Sequence, residues 1–244
     1  MKETNIQYQG NIMDCKLCQW ALGLVVSLVL ATPVFAAAPQ TDPYDVIEST
    51  TKRVMAVVVQ AEDYADADPQ RYYDELQPIL DEVVDFAGFS RAIMGPYASR
   101  QRYQGLSKEG KQELRAQVER FTEVMRTGLV RTYGKGLIAF GGSKTEVQRP
   151  QGATSEGNST SITQLIYSDA AEPYVIQYQM RKTKTGWKLR NLIVETINLG
   201  LIYRNQFQAA AQDSEGDLNT VIANWVTPAE VDSVGEADKQ SARL

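Results

Sequence analysis

The two residues best spaced for chemistry lie near the N-terminus. Cys15 and Cys18 are the only cysteines of the chain, and their C-x-x-C spacing suits a dithiol redox pair or half of a zinc site. Their surroundings argue for another fate. Lys16 is followed by an apolar run from Leu17 to Leu30, broken by Gln19 and Ser27, then by Pro33 and the small-residue stretch Val34-Phe35-Ala36-Ala37-Ala38. A cation, a short apolar segment and small residues form a secretory leader. Cleavage after Ala36 puts Val34 and Ala36 at the two small-residue positions and discards both cysteines. The alternative, an uncleaved anchor, suffers from a run shorter than the roughly 20 residues that span a bilayer.

The chain has no histidine. The mature protein therefore lacks the residues for a Ser-His-Asp or Cys-His nucleophile and for a Cys/His zinc site. Acid–base work would fall to carboxylates, lysine or tyrosine. Asp85, ahead of a helix, and Glu195, after a strand, are candidates for a hydrolase pair, which would have to share one cleft; no motif brings them together. The expectation is a protein that is not an enzyme and that has neither metal nor cofactor.

The elements that would carry any site are readable from periodicity. Asp42-Pro43 and Asp68-Pro69 each place a capping side chain before a proline at the first helical position. Val46, Ile47, Val54, Val57, Val58 and Ala61 give the first helix an apolar face, and Tyr72, Tyr73, Leu76, Ile79, Leu80 and Val83 the second, with Pro78 a point of disturbance. A short helix from Phe86 stops at Gly95-Pro96. A long one starts near Ser107, carries Leu114, Val118, Phe121, Val124, Met125, Leu129 and Tyr133, and is expected to end at Gly134 or Gly136.

After Gly142 the period changes to two. Lys144–Arg149, Ser159–Tyr167, Tyr174–Lys182 and Trp187–Glu195 read as an antiparallel meander of about four strands, with a polar loop over 150–158. Helices return at about Ile197–Gln212 and from Asp217, and the residues after Pro228 read as a disordered tail. Helices, then a contiguous sheet, then helices indicate an α+β fold, with a curved antiparallel sheet roofed by several helices. Such a roof encloses a cavity suited to an apolar ligand. Three parts follow: a leader over 1–36, one domain over 37–227 and a tail over 228–244.

Net charge is −5 and unevenly spread: twelve acidic and three basic residues over 42–85, against ten basic and four acidic over 86–135. An acidic whole argues against nucleic acid, while the basic middle suits anionic headgroups or an acidic protein.

Several strings in this order resemble one family. They are Val83-Val84-Asp85-Phe86 leading to Met94-Gly95, and Gln117–Tyr133 with Phe121, Leu129 and Tyr133. Then come Trp187-Lys188-Leu189, Asn191-Leu192-Ile193-Val194-Glu195, Leu199-Gly200 and Tyr203-Arg204-Asn205-Gln206-Phe207. From 43 to about 227 the chain resembles the periplasmic phospholipid-binding component of the Mla (maintenance of lipid asymmetry) system, the toluene-tolerance family; Asn205 stands where serine is common. The resemblance implies an enlarged cone related to nuclear transport factor 2, with a deep apolar cavity that takes acyl chains while the headgroup stays in solvent. It implies a monomeric shuttle in the periplasm with a diacyl phospholipid as cargo. The implied partners are an inner-membrane ABC transporter complex and an outer-membrane lipoprotein associated with a porin. A chaperone for apolar protein segments is the competing reading.

Acyl chains require aliphatic and aromatic walls, with methionine for adaptability. The expected lining is Phe86, Phe89, Ile93 and Met94 from the short helix and Phe121, Val124, Met125 and Leu129 from the long one. Ile176, Tyr178, Met180, Leu189 and Ile193 would come from the sheet and Phe207 from the closing helix. Taken singly, each reads more readily as an ordinary core residue, because apolar stripes mostly make cores. For Tyr203 and Arg204 a structural role competes with headgroup contact.

Overall fold

A computed structural model describes residues 42–150, 157–168 and 171–225. The leader with Cys15 and Cys18, most of the 150–158 loop and the tail from 228 lie outside those residues. The helices are α1 (Pro43–Ala61), α2 (Pro69–Val83), α3 (Phe86–Met94), α4 (Arg100–Gly105), α5 (Lys108–Leu137), α6 (Leu199–Asp213) and α7 (Leu218–Ala223); the strands are β1 (Lys144–Gln148), β2 (Ser159–Tyr167), β3 (Tyr174–Thr183), β4 (Gly186–Val194) and β5 (Ile197–Asn198).

Every helix starts on a side-chain acceptor. Asp42, Asp68, Asp85, Ser99, Ser107, Asn198 and Asp217 each take a backbone N–H of the first turn, satisfying donors that would otherwise be orphaned. Ser99 starts α4, a helix without an apolar period and so not anticipated. Pro78 does not break α2. Nor do the glycines stop α5, which runs on to Leu137 with Gly134 buried inside it. A Cβ on Gly134 would come within 3.3 Å of the Tyr73 ring, and Tyr72 donates its hydroxyl to the Gly134 carbonyl at 2.9 Å. The glycine is a close-approach site for α2, not a terminus.

The strands form one open antiparallel meander in the order β1-β2-β3-β4-β5. The fifth strand is a two-residue return that pairs Ile197 and Asn198 with Val194 and Ile193. Because β5 is so short, the first half of β4 would be a bare edge. The α2–α3 junction covers it: Val84 bridges Leu189 in parallel, and Asp85 N–H donates to Leu189 O at 3.0 Å.

Apolar burial gathers in three clusters. One joins α3, α5, α6 and α7 around Phe121, Tyr203 and Phe207. A second packs Tyr44, Val46 and Ile47 of α1 and Val83 of α2 on Ile162, Met180 and Trp187 of the sheet. The third joins α1, α2 and α5 through Val58, Ala61, Tyr72, Leu76 and Val130. Between α2 and α5, Arg126 grips Asp81 with two bonds of 2.7 and 2.5 Å.

That guanidinium holds the Asp81 carboxyl below the usual carboxylate range. A carboxyl depressed on folding stabilises the native state at pH values above its unfolded pKa, and the contribution disappears as pH falls through the folded value. Thermal stability is thus expected to decline below about pH 4, and Asp81→Asn to make the melting curve flatter over that window; calorimetry between neutral and acid pH measures both. At the α2–α3 junction, Asp85→Asn is expected to keep the cap and weaken the bond to Arg190, costing about 1 kcal/mol, whereas Asp85→Ala loses both and costs roughly 2–3 kcal/mol in urea unfolding.

Candidate functional site

The inward face of the sheet is set by strand register. Ile162, Gln164 and Ile166 of β2 stand opposite Tyr178, Ile176 and Tyr174 of β3, and Thr160 opposite Met180. Since Ile162, Gln164, Ile166 and Met180 are buried, this is the face the helices cover. Across β4 the partners are Trp187 for Lys182, Leu189 for Met180, Leu192 for Tyr178 and Val194 for Ile176.

A bulge breaks the alternation of β4. Gln179 pairs with Asn191 and Met180 with Leu189, so Arg190 is the extra residue of β4 at that step. Without it, Leu189, Asn191 and Ile193 would share a face. With it, Leu189, Leu192 and Val194 point inward, and Ile193 stands on the outer face opposite Gln177 and Asn198. Ile193, expected on the inward side, therefore stands on the outer face, and Leu192 and Val194 are the residues of this stretch that turn inward. No local signal in Leu189–Val194 announces the bulge; its extra residue, Arg190, is bonded to Asp85, more than a hundred positions away.

The expected lining residues divide into two groups. Phe89, Ile93, Met94, Phe121, Met125 and Phe207 are enclosed within the first cluster, Met180 within the second, and Phe86 is also buried. Ring centroids 4.9 Å apart for Phe121 and Phe207, and 5.1 Å for Phe121 and Trp225, describe filled aromatic packing. These residues brace the helices. Val124, Leu129, Ile176, Tyr178 and Leu189, joined by Leu192 and Val194, remain partly accessible, although the sheet members face inward.

Tyr178 combines the two properties. Desolvation alone pushes its phenol well above the ordinary value, yet part of its side chain stays accessible. Its hydroxyl donates to Gln164 Oε1 at 2.6 Å, and Gln164 Nε2 donates to Thr51 of α1 at 3.1 Å, so this buried amide is bonded on both sides. Tyr133 repeats the pattern on α5. Burial raises its phenol, its side chain is 36% exposed, and its hydroxyl lies 3.0 Å from that of buried Tyr203. Tyr203 is therefore a core residue. Arg204 lies across Gly95, where a Cβ would approach its Nε to 3.2 Å. Gly95 also closes α3 at φ +54°, a conformation that glycine adopts without strain.

The two candidate carboxylates hold backbone. Asp85 accepts from Gly88 N–H at 2.8 Å and from Arg190 at 2.7 Å. Glu195 accepts from Val175 N–H at 2.6 Å. Among the described residues no group of three or more carboxylate, cysteine or histidine side chains is placed to hold a metal.

An open meander with helices on its inward face, and apolar side chains there left half-covered, is an α+β architecture. The model of the MlaC protein family matches residues 48–227. Toluene tolerance protein ttg2D of Pseudomonas putida is 30% identical over 203 residues, which cover 83% of this chain and 87% of that protein. A phospholipid-binding protein of Ralstonia solanacearum, solved in complex with a phospholipid, shares the fold with a TM-score of 0.58 over 75% of this chain and 93% of that one, at 17% identity. The chain belongs to the MlaC family.

The Tyr178–Gln164–Thr51 chain provides a direct test of the wall. Gln164→Leu strands two hydroxyls and is expected to cost about 1–3 kcal/mol in urea unfolding, against about 1 kcal/mol for Tyr178→Phe. The double variant is expected to lose less than the sum, because one network is being removed twice.

Proposed function

We propose that this protein is a soluble periplasmic carrier that holds the acyl chains of a diacyl phospholipid against the inward sheet face. In this reading it is exported by a leader cleaved after Ala36, and its single domain over 37–227 moves lipid between an inner-membrane ABC transporter complex and an outer-membrane lipoprotein associated with a porin. That traffic would maintain the lipid asymmetry of the outer membrane. The observation that carries the reading is that Ile176, Tyr178, Leu189, Leu192 and Val194 of the inward sheet face are left half-covered, as are Val124 and Leu129 of α5, in a chain of the MlaC family. The phospholipid in the Ralstonia solanacearum protein of like fold supports it.

The energetics require such a wall. Two chains of roughly 16 carbons at about 0.8 kcal/mol per CH₂ make exposure to water cost on the order of 25 kcal/mol. A carrier must replace nearly all of the bilayer's apolar contact and bind no more tightly than a bilayer does, so that lipid can leave. No bond is made or broken, and no helix among the described residues is long and apolar enough to cross a membrane.

Native mass spectrometry of the purified mature protein, with organic extraction, is expected to show near-stoichiometric diacyl phospholipid. A lipid-free mass from folded protein, or stable capture of apolar peptides instead, refutes the carrier reading. Ile176→Asp and Val124→Asp are expected to lose the lipid and keep the far-ultraviolet dichroism, while Phe121→Asp, in the packed aromatic cluster, is expected to unfold the domain.

A further inference from the structure

Positive charge gathers where α3, α4 and α5 meet. Residues 91–119 carry six cations and three carboxylates, in a chain whose net charge is −5. A groove of about 470 Å³ opens there. Its apolar lining is Ala98, Leu114 and Val118, and its cations are Arg91, Arg100 and Arg115, all three exposed. None of these arginines forms an ion pair among the described residues. Glu119 is the one carboxylate of the lining. Glu113, nearby on α5, is already held by Arg120 and Asn219.

Arg115 is placed for use. It donates to the Tyr103 hydroxyl, and its guanidinium lies 5.3 Å from the centre of the Tyr103 ring. The Lys111 ammonium lies 5.8 Å from the same ring. An aromatic ring orients a cation without neutralising it, so the groove keeps its charge.

The described chain ends beside this groove. The Trp225 ring packs edge-on against Phe121, with centroids 5.1 Å apart. Val118 and Leu114 lie one and two turns back from Phe121 on the same face of α5, and each turn advances about 5 Å. An extended chain covers about 3.3 Å per residue. Glu230 and Asp232 are five and seven positions past Trp225, so both reach the groove without full extension.

The composition of that segment matches the groove. Over 226–238 it carries Glu230, Asp232, Glu236 and Asp238 and no cation, with Val226, Val231 and Val234 between them. The family match stops at 227, so these carboxylates lie beyond the part shared with the family. The segment has no apolar period with which to build structure of its own; order must come from a surface already formed. Carboxylates suit the forked donors of exposed arginines, and valines suit the lining of Ala98, Leu114 and Val118. Tethering decides among anionic occupants, because a short linker holds its segment at an effective concentration on the order of millimolar.

We propose that residues 226–238 fold back into the α3–α4–α5 groove, with Glu230 and Asp232 on Arg100 and Arg115. The contact is an intramolecular cover. It shields the groove's charge from other anions and gives way to one that binds the arginines more tightly. Exposed ion pairs are individually weak, which keeps the cover removable. It requires no lipid and stands apart from the carrier reading.

Phenylglyoxal modification of the purified protein, read arginine by arginine through peptide mass mapping, tests it. At low salt Arg100 and Arg115 are expected to react roughly fivefold more slowly in wild type than in the variant Glu230→Gln, Asp232→Asn, Glu236→Gln, Asp238→Asn. At high salt the two proteins are expected to react alike. Arg181, on the outer face of the sheet opposite Ser159, is expected to show no difference at either salt. A carbodiimide, which joins a carboxylate to an amine it touches, is expected to link Glu230 or Asp232 to Lys111 within one chain. Equal rates at Arg100 and Arg115 at low salt overturn the proposal, as does protection at Arg181 in their place. Protection that fades on dilution also overturns it, in favour of segments exchanged between two copies.

Discussion

The contact between Asp85 and Arg190 fastens the helical layer to the sheet. Asp85 caps α3, its N–H bonds the Leu189 carbonyl, and its carboxylate holds the guanidinium of the one residue that β4 carries in excess. Gly88 makes room, since any Cβ there would collide with both charged groups. A partly buried pair of this kind gains little over a well-packed apolar substitute. Its value is positional: it ties the start of α3 to the step at which β4 bulges, the step that decides which residues of that strand turn inward. Leu192 and Val194 face the helices because Arg190 does not occupy a regular position.

Around that fastening the protein divides its apolar side chains between two tasks. The aromatic cluster of Phe89, Phe121, Tyr203, Phe207 and Trp225 is closed and supplies stability. The sheet face and the inner side of α5 stay half-covered. An unfilled apolar wall forgoes stabilisation of roughly 25 cal/mol for each Å² left open. That loss would be recovered where a ligand completes the interior, as the carrier reading proposes for this chain.

Much of this order was legible from local chemistry. Asp42-Pro43, Asp68-Pro69 and Ser107 marked helix starts because a cap requires only neighbouring residues. The meander was legible because alternation and turn residues are local too. What stayed hidden depended on distant partners. Gly134 reads as a helix end until Tyr73 packs on it, and α4 has no apolar period to declare it. The outward turn of Ile193 follows from a bulge whose extra residue is bonded to a charge on another element. The candidate lining was half legible for the same reason: apolar residues such as Phe121 and Val124 have like patterns on one helix, and only the packing of α6 and α7 over Phe121 separates a closed core from an open wall.

Three clusters that do not merge leave the domain without a single interlocked centre. Dense interiors resist compression, whereas voids are where an unfolding protein loses volume. Emptied of any occupant, such a domain yields to hydrostatic pressure sooner than a solid one of equal length, and an occupant that fills the gap would harden it. In the carrier reading, mechanical softness would be coupled to loading, so that full and empty forms would differ in compliance as well as in content.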